Sequence, residues 1–530
     1  MTDKAEKASG SSYLYDVEKA DVNGVIASST DKSVEQLVTV VPVMDSPVMG
    51  SLAKPVLFCM VIAFGGFILG WDIGTIGGLM NMPSFKNHFG TRYNASTGLN
   101  EFPNLLLGLI IGIFNVACAL GGLTLAKVGD FKGRKVGIAV SLLVYVFGVV
   151  IELAKPTHWG QFFIGRIFTG VGVGSLTVLV PMYVAEISPV RIRGSMVVLF
   201  QLNITVGVLV GNFVNYGCKK GFGDILSKKH WQVPIALGPM WAAVVLLGLV
   251  MIPESSHYLA SKDKIKEAER SFAVMNALEV DDPIVFSEVA AMAAKTKELK
   301  ANGEEGFWEF IAGKPRLGWR LLLGMVTMSL QQLSGVNYFF YYGTSLFNSV
   351  GLDDSYVTAI IISAVNLVAT FLGIYIVERL GRKACAIIGA AGMCFSMLLY
   401  ACLGSFILDN SNGNNKPTGA AMIAFTCIYM IFFASTSGPV AFVIISELYP
   451  LRTRNTSMAI CNSMNCLSNF TITLLTPTIV SAIGYKFGFV FVFFLVFSVF
   501  FFYKYLPETK GLTVSEVDEL YTRKKEIDEY

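Results

Sequence analysis

The sequence predicts an all-α membrane protein. Twelve transmembrane helices form two pseudo-symmetric six-helix bundles, joined by a short cytosolic helical loop domain. Three observations carry this. Of the 530 residues 53% are apolar and only 15% charged, where a soluble domain has about 25% charged. Twelve apolar segments long enough to cross a bilayer alternate with loops whose positive charge gathers on one side. Three short motifs also recur at nearly one spacing. GRK at Gly133–Lys135 returns at Gly381–Lys383, offset by 248 residues. Glu186-Ile-Ser-Pro-Val-Arg191 returns as Glu447-Leu-Tyr-Pro-Leu-Arg452, offset by 261, and Pro253-Glu254-Ser255 returns as Pro507-Glu508-Thr509, offset by 254. A shared order and spacing argues a duplicated six-span unit. Two such units facing each other across a midplane site is the architecture of an alternating-access carrier.

Residues 1–54 are polar, with no long apolar run, and read as a disordered cytosolic tail rather than a signal peptide. The first bundle occupies 55–252, with spans at about 56–80, 102–127, 135–154, 160–184, 195–217 and 233–252. A charged, helix-prone linker follows at 253–318. The second bundle, 319–506, has spans at about 319–347, 355–378, 384–408, 419–446, 455–482 and 486–506, and 507–530 form a second cytosolic tail. Lys127 to Lys135, Arg191 and Arg193, Arg379 to Lys383, and Arg452 and Arg454 all fall on one side. The positive-inside rule makes that side the cytosol, with both termini inside. Lys219, Lys220, Lys228 and Lys229, between spans five and six, run against the rule. The loop after span one carries the sequon Asn94-Ala95-Ser96, a glycosylation site if that loop is external in a eukaryotic cell.

Span seven is the most polar of the apolar segments. Gln331-Gln-Leu-Ser-Gly-Val-Asn337 runs into Tyr338, Tyr341 and Tyr342. Read as one continuous helix, it places Gln331, Ser334, Tyr338 and Tyr342 near one face with Asn337 beside it. Lipid offers no hydrogen-bond partner, so such groups face other helices or a water-filled cavity. They either tie helices together or meet a ligand, and their density favours the ligand. Neutral amides mixed with aromatic rings suit an uncharged polyhydroxylated molecule, whereas a phosphate or carboxylate calls for Arg or Lys. Asp72 in span one, Arg166 in span four and Glu152 at the end of span three are ionisable groups set in the membrane, where charge is functional or paired.

Other chemistries lack their machinery. No CxxC pair occurs among nine cysteines, and with four histidines no metal site or cofactor is expected. There is no GxxxxGK[ST] loop for an ATP-driven pump, and a net charge of +3 gives no argument for nucleic acid. A membrane enzyme would need His and carboxylate clusters that are absent. Each chain contains a complete two-bundle unit, so a monomer embedded in lipid is the expected functional form.

Taken in order, the motifs are GWDIGTIGG (70–78), VGDFKGRK (128–135), GRIFTGVGVG (165–174), PMYVAEISPVRIRG (181–194), PESSHYL (253–259), QQLSGVNYFFYYG (331–343), ERLGRK (378–383), GPVAFVIISELYP (438–450) and PETKGLT (507–513). With them the chain resembles the sugar porter family of the major facilitator superfamily, most closely the fungal hexose transporters, over about 56–515. The resemblance implies the major facilitator fold and plasma-membrane transport of glucose or other hexoses by facilitated diffusion. It implies sugar-binding roles for Gln201, Gln331, Gln332, Asn337, Asn366, Gly438 and Asn465. Relatives usually have Trp where this chain has Phe442, Cys466 and Ser437, which opens the site to a pentose or polyol. In proton-coupled relatives the counterparts of Asp72 and Arg166 trade a proton for sugar binding. A structural ion pair is the other reading of these two. A non-transporting sugar sensor of this fold would carry a long C-terminal extension, for which 507–530 is too short. Asp130, Arg134, Glu186, Arg193, Glu254, Glu378, Arg382, Glu447, Arg452 and Glu508 lie at helix ends in corresponding places of both halves. They are expected either to clamp the bundles together at the cytosolic gate or to be solvated charges that set topology.

Overall fold

The computed structural model describes residues 53–522 except 96–97, 155–157, 189–192, 225, 302–310, 312, 314–315, 349–354, 409–415, 451–452 and 513–515. The expected N-terminal tail therefore lies outside the described residues, apart from its last two positions. Among those described, ten helical runs are long and apolar enough to cross a membrane. They account for eleven of the twelve segments, because the last run, Thr456–Tyr505, contains two. Fifty residues of helix would extend about 75 Å, more than twice the hydrocarbon core. The run breaks at Gly484, where φ is +57°, into Arg454–Ile483 (span eleven) and Gly488–Tyr505 (span twelve).

The remaining segment is span seven, and its expected continuous helix is a correction. It consists of Leu317–Leu333 and Val336–Asn348, separated at Gly335 with φ +96°. Only glycine adopts that conformation without strain, and the Phe491 ring lies where a Cβ would be. The break spoils the expected single face. Tyr338 turns into the core of the second half, its hydroxyl 3.3 Å from that of Tyr400, and Tyr342 donates to the Thr473 carbonyl at 2.8 Å.

The first half comprises span one (Ala53–Ala63 and Gly65–Leu79), span two (Asn104–Leu123), span three (Arg134–Leu153), span four (Trp159–Ile187), span five (Arg193–Gly221) and span six (Lys229–Ala236 and Gly238–Met251). The second half adds span eight (Ser355–Leu380), span nine (Arg382–Cys402) and span ten. Span ten is helical over Lys416–Phe432 and Gly438–Leu448, with a π turn at Phe433–Ser437 between them. Leu247, Val250, Met251 and Phe493 point outward, as side chains that meet lipid do. One local exception to the all-helical expectation follows span one: Arg92–Asn94 pairs antiparallel with Leu99–Glu101, turning through Gly98 at φ +67°. The linker holds helices Ser256–Ser261, Ile265–Asn276 and Pro283–Ala301, packed on one another through Leu259, Ala268 and Val289.

The two halves touch through spans two and eleven, five and eight, and one and seven. Small residues set the approach: a Cβ on Gly108 would lie 2.4 Å from the Leu474 carbonyl oxygen. Buried polar side chains also bridge the two halves. Asn469 donates to Asn115 at 2.9 Å, Asn212 to Ser363 at 2.9 Å and Tyr356 to the Gly78 carbonyl at 2.9 Å. Three of the lysines that ran against the charge rule, Lys219, Lys220 and Lys229, lie near aromatic rings. Lys219 and Lys220 occupy the last turn of span five, where the helix dipole favours cations. Lys219 also lies 4.6 Å from the centre of the Tyr356 ring.

Arg320, at the start of span seven, is fully buried. It donates to the Leu448 carbonyl (2.7 Å) and to Asp518 (2.6 Å), and it lies over the Tyr521 ring. Residues 516–522 are thereby fastened to the base of the second half, with Val517 and Tyr521 in its apolar core. Removing the partner of a fully buried charge costs about 3–5 kcal/mol. Arg320 would keep Leu448 and Tyr521, so Asp518→Ala is expected to cost about 2 kcal/mol. Thermal unfolding of the detergent-purified variant checks this, and an unchanged midpoint would contradict it.

Candidate sugar-binding site and charged gate

Four amides from span seven and span eleven form a directional chain. Asn337 donates to the Gln332 oxygen at 2.6 Å, and Gln332 donates to the Asn465 oxygen at 2.9 Å. Asn465 donates to the Gln331 oxygen at 2.7 Å and to the Met328 carbonyl at 3.0 Å. Gln331 ends the chain on the carbonyls of Gly438 (3.0 Å) and Ser437 (3.3 Å). The break at Gly335 makes this possible, because it sets Asn337 at the foot of a second helix, facing back toward Gln332. The π turn before Gly438-Pro439 alters the hydrogen-bond register of span ten just where Gln331 reaches it. Ser334 is held separately, accepting from the Tyr429 hydroxyl at 3.0 Å.

Each amide has two N–H donors and two acceptor sites, so the chain leaves hydrogen-bonding capacity for hydroxyl groups. The other expected ligands stand apart from it. Gln201 on span five is half-buried and Asn366 on span eight is buried, and neither side chain makes a hydrogen bond among the described residues. Their spans are one of the pairs that meet across the two halves. Phe442, one turn after Gly438, is 39% exposed, while Cys466 packs against the core beside Asn465. Sequence reasoning passed over Asn115, Asn212 and Asn469, which bridge the halves; an asparagine inside an apolar segment was the available signal.

Asp72 and Arg166 meet in the first half. Arg166 donates from both terminal nitrogens, at 2.5 Å and 2.9 Å, to the two Asp72 oxygens, and both side chains are buried. Asn94 ends the first strand of the hairpin after span one.

The expected gate charges form two matching knots. In the first, the Glu254 carboxylate receives the backbone N–H groups of Arg134 (2.9 Å), Lys135 and Ser255. The Arg134 guanidinium holds Glu186 at 2.9 Å and Asp130 at 2.6 Å. In the second, Glu508 receives the N–H groups of Arg382 (2.8 Å) and Lys383 (3.0 Å), and Arg382 holds Glu447 at 2.5 Å. Gly133 (φ +109°) and Gly381 (φ +87°) make room: a Cβ on either would strike the Glu254 or Glu508 carboxylate. A clamp across the halves is not what these pairs make. Each described ion pair of the knots stays inside one half. Arg193 and Glu378 begin span five and end span eight, but their side chains, like Arg452, lie outside the described residues.

The two glutamates differ electrostatically. Burial raises the Glu254 carboxyl above its usual range, despite the N–H groups of Ser255, Lys135 and Arg134 that pull it down. Burial also pushes Glu508 up, but the N–H groups of Arg382, Lys510 and Lys383 and the Arg382 charge outweigh it, leaving Glu508 below its usual range. A depressed carboxyl stabilises the fold above its unfolded value, and that contribution disappears as pH falls through the folded one. Glu508→Gln should therefore lower the melting temperature at pH 7, with the gap to wild type closing as pH falls below about 4. A gap that does not change with pH would contradict this.

Comparison with known proteins follows this geometry. A family model described as "Sugar (and other) transporter" matches residues 58–521. The hexose transporter HXT14 of Saccharomyces cerevisiae is 44% identical over 487 residues, covering 89% of each chain. The low-affinity glucose transporter of Kluyveromyces lactis is 39% identical over 531 residues, 98% of this chain and 93% of that one. Among solved structures, the proton:xylose symporter XylE bound to 6-bromo-6-deoxy-D-glucose superposes with a TM-score of 0.73. It is 24% identical and covers 89% of this chain and all of its own. A partially occluded, inward-open form of XylE from E. coli gives 0.71, covering 87% of this chain and all of its own. At that identity the likeness speaks to the fold alone, which is the major facilitator fold.

Proposed function

Because the chain belongs to the sugar (and other) transporter family, we propose that it carries monosaccharides, glucose or another hexose, across the plasma membrane by alternating access. The observation that carries this reading is the amide chain of Gln331, Gln332, Asn337 and Asn465, an uncharged hydrogen-bonding surface at the heart of the second half. Gln201 and Asn366, whose side chains have no protein partner among the described residues, supply further amides for hydroxyls. Phe442 offers a ring for the sugar's apolar face. The yeast relatives are named as hexose and glucose transporters, which supports the substrate class. Transport is by facilitated diffusion and the functional unit is a monomer. Both termini lie in the cytosol, which places the hairpin with Asn94 outside as a glycan acceptor.

The Asp72–Arg166 pair favours one second reading, proton-coupled uptake, since a buried bidentate pair is a group that a proton could open. Uptake of labelled glucose into cells lacking their own hexose carriers, with and without a protonophore, separates the two. The expected result is saturable uptake that equilibrates and ignores the protonophore. Accumulation that collapses with it would establish the symporter, and no uptake by protein shown to reach the surface would overturn the sugar reading.

In the same assay Gln332→Ala, which breaks the amide chain at its centre, should raise the half-saturation concentration about tenfold, the equivalent of one good hydrogen bond. The two charged knots fasten the helices of each half to one another at the charged end. Glu447→Ala frees Arg382 and should slow turnover while leaving equilibrium sugar binding unchanged; wild-type turnover would sink that role.

A further inference from the structure

Two carboxylates are buried in the membrane-spanning core among the described residues, Asp72 and Glu152, and only Asp72 has an arginine. Arg166 gives both terminal nitrogens to Asp72 and rests on the Phe114 ring, 4.4 Å from its centre, while its Nε has no partner. Glu152 is 3% exposed, and its carboxylate accepts one hydrogen bond, from the Thr169 hydroxyl at 3.3 Å. Gly165 lets span four press against the Glu152 stem, where a Cβ would come within 2.4 Å of Cγ. Asp72, Arg166, Glu152, Thr169, Thr75 and Tyr145 line one cavity of about 20 Å³, room for roughly a single water.

The charges in this cavity do not balance. Two carboxylates face one guanidinium, and an uncompensated carboxylate in a dry core costs far more than one long hydrogen bond returns. Among the described residues the cavity lining holds no second cation. Span one brings Asp72, span four Arg166, span three its own Tyr145 and span six the apolar Ile235. The phenol of Tyr341 on span seven also lies within electrostatic reach of the Asp72–Arg166 pair. The missing positive charge is small enough to be a proton.

We propose that Glu152 is a proton-binding site, and that Asp72 and Glu152 share one guanidinium and one proton between them. While Arg166 is engaged with Asp72, Glu152 is a neutral carboxylic acid. When Arg166 swings to Glu152, the proton leaves the Glu152 oxygen and passes to Asp72, so that charge in the cavity is conserved. The pair between spans one and four can thus open without leaving a bare charge in the membrane.

The proton site does not depend on the sugar reading and is tested without substrate. Purified protein in liposomes at pH 7 is examined by infrared spectroscopy for the C=O stretch of a protonated carboxyl group. The wild type should show the band and Glu152→Gln, which is isosteric and neutral, should lack it. Asp72→Asn should lack it too, because Arg166 then turns to Glu152 and holds it ionised. No band in the wild type, or a band surviving in Glu152→Gln, would overturn the site, and a band surviving in Asp72→Asn would overturn the exchange. Wild-type thermal unfolding for each variant excludes misfolding as the cause of a lost band. Glucose uptake on the same proteoliposomes keeps the readings apart. Uptake without a band sinks the proton site alone, and a band without uptake sinks the sugar reading alone.

Discussion

The structure depends on a contact made twice: a glutamate carboxylate seated on the N-terminus of a membrane helix, with a left-handed glycine beneath it. Glu254, after span six, and Glu508, after span twelve, each take backbone N–H groups that the first turn of span three or span nine would otherwise leave unsatisfied. The helix dipole adds to the attraction. The arginine that follows each glycine then ties spans three and four, or nine and ten, to one carboxylate, Glu186 or Glu447. Every residue of the knot is specified by the chain. Alanine at Gly133 or Gly381 would collide with the carboxylate, and lysine at Arg134 could not present two donors in a plane. Each knot fastens the helices of its half to one another at the charged end.

The contacts between the halves are of another kind. Spans two and eleven meet through glycines, one asparagine pair and the Asn104–Ser481 hydrogen bond, and spans five and eight through Asn212 and Ser363. Such seams bury few polar groups and no described ion pair, so separating them exposes backbone and amides that water can satisfy. An interface of that kind can open and close with a difference of a few kcal/mol. A charged clamp would hold one state too firmly. The described ion pairs of the knots thus lie within the halves, and small polar contacts lie between them.

The sequence made the architecture legible because burial in lipid leaves few options. Helices must satisfy their own backbone, so apolar length reveals spans, and the repeated GRK, E-x-x-P-x-R and P-E-[ST] motifs reveal the duplication down to their atomic contacts. The polar cluster of span seven was equally visible, since four polar side chains in seven residues have no place in lipid. Its geometry was not. Helical periodicity assigned Tyr338 and Tyr342 to the amide face, whereas Gly335 breaks the period and sends both elsewhere. Which amide donates to which was also hidden, because Asn465 and Gly438 lie more than a hundred residues from Gln331. The hold of Arg320 on Asp518 escaped for the same reason: nearly two hundred residues separate two charges that each look ordinary.

Polar chemistry is divided between the halves. The first half holds its membrane charges, Asp72, Glu152 and Arg166, in one small cavity; the second holds uncharged amides linked from Asn337 to Gly438. Amides satisfy one another and bind hydroxyls without ever requiring a counter-ion, so the polar groups of the second half can be exposed at little electrostatic cost. The charged cavity cannot be exposed or rearranged so freely, because each carboxylate needs the arginine or a proton at every stage. Span seven joins the two. Its second helix packs against span one beneath Gly77, where the Phe340 carbonyl takes the space of a Cβ. Any shift of that helix therefore presses on the helix that carries Asp72. A contact without side-chain bulk transmits displacement directly, and the duplicated fold thereby acquires a link between its neutral half and its charged one.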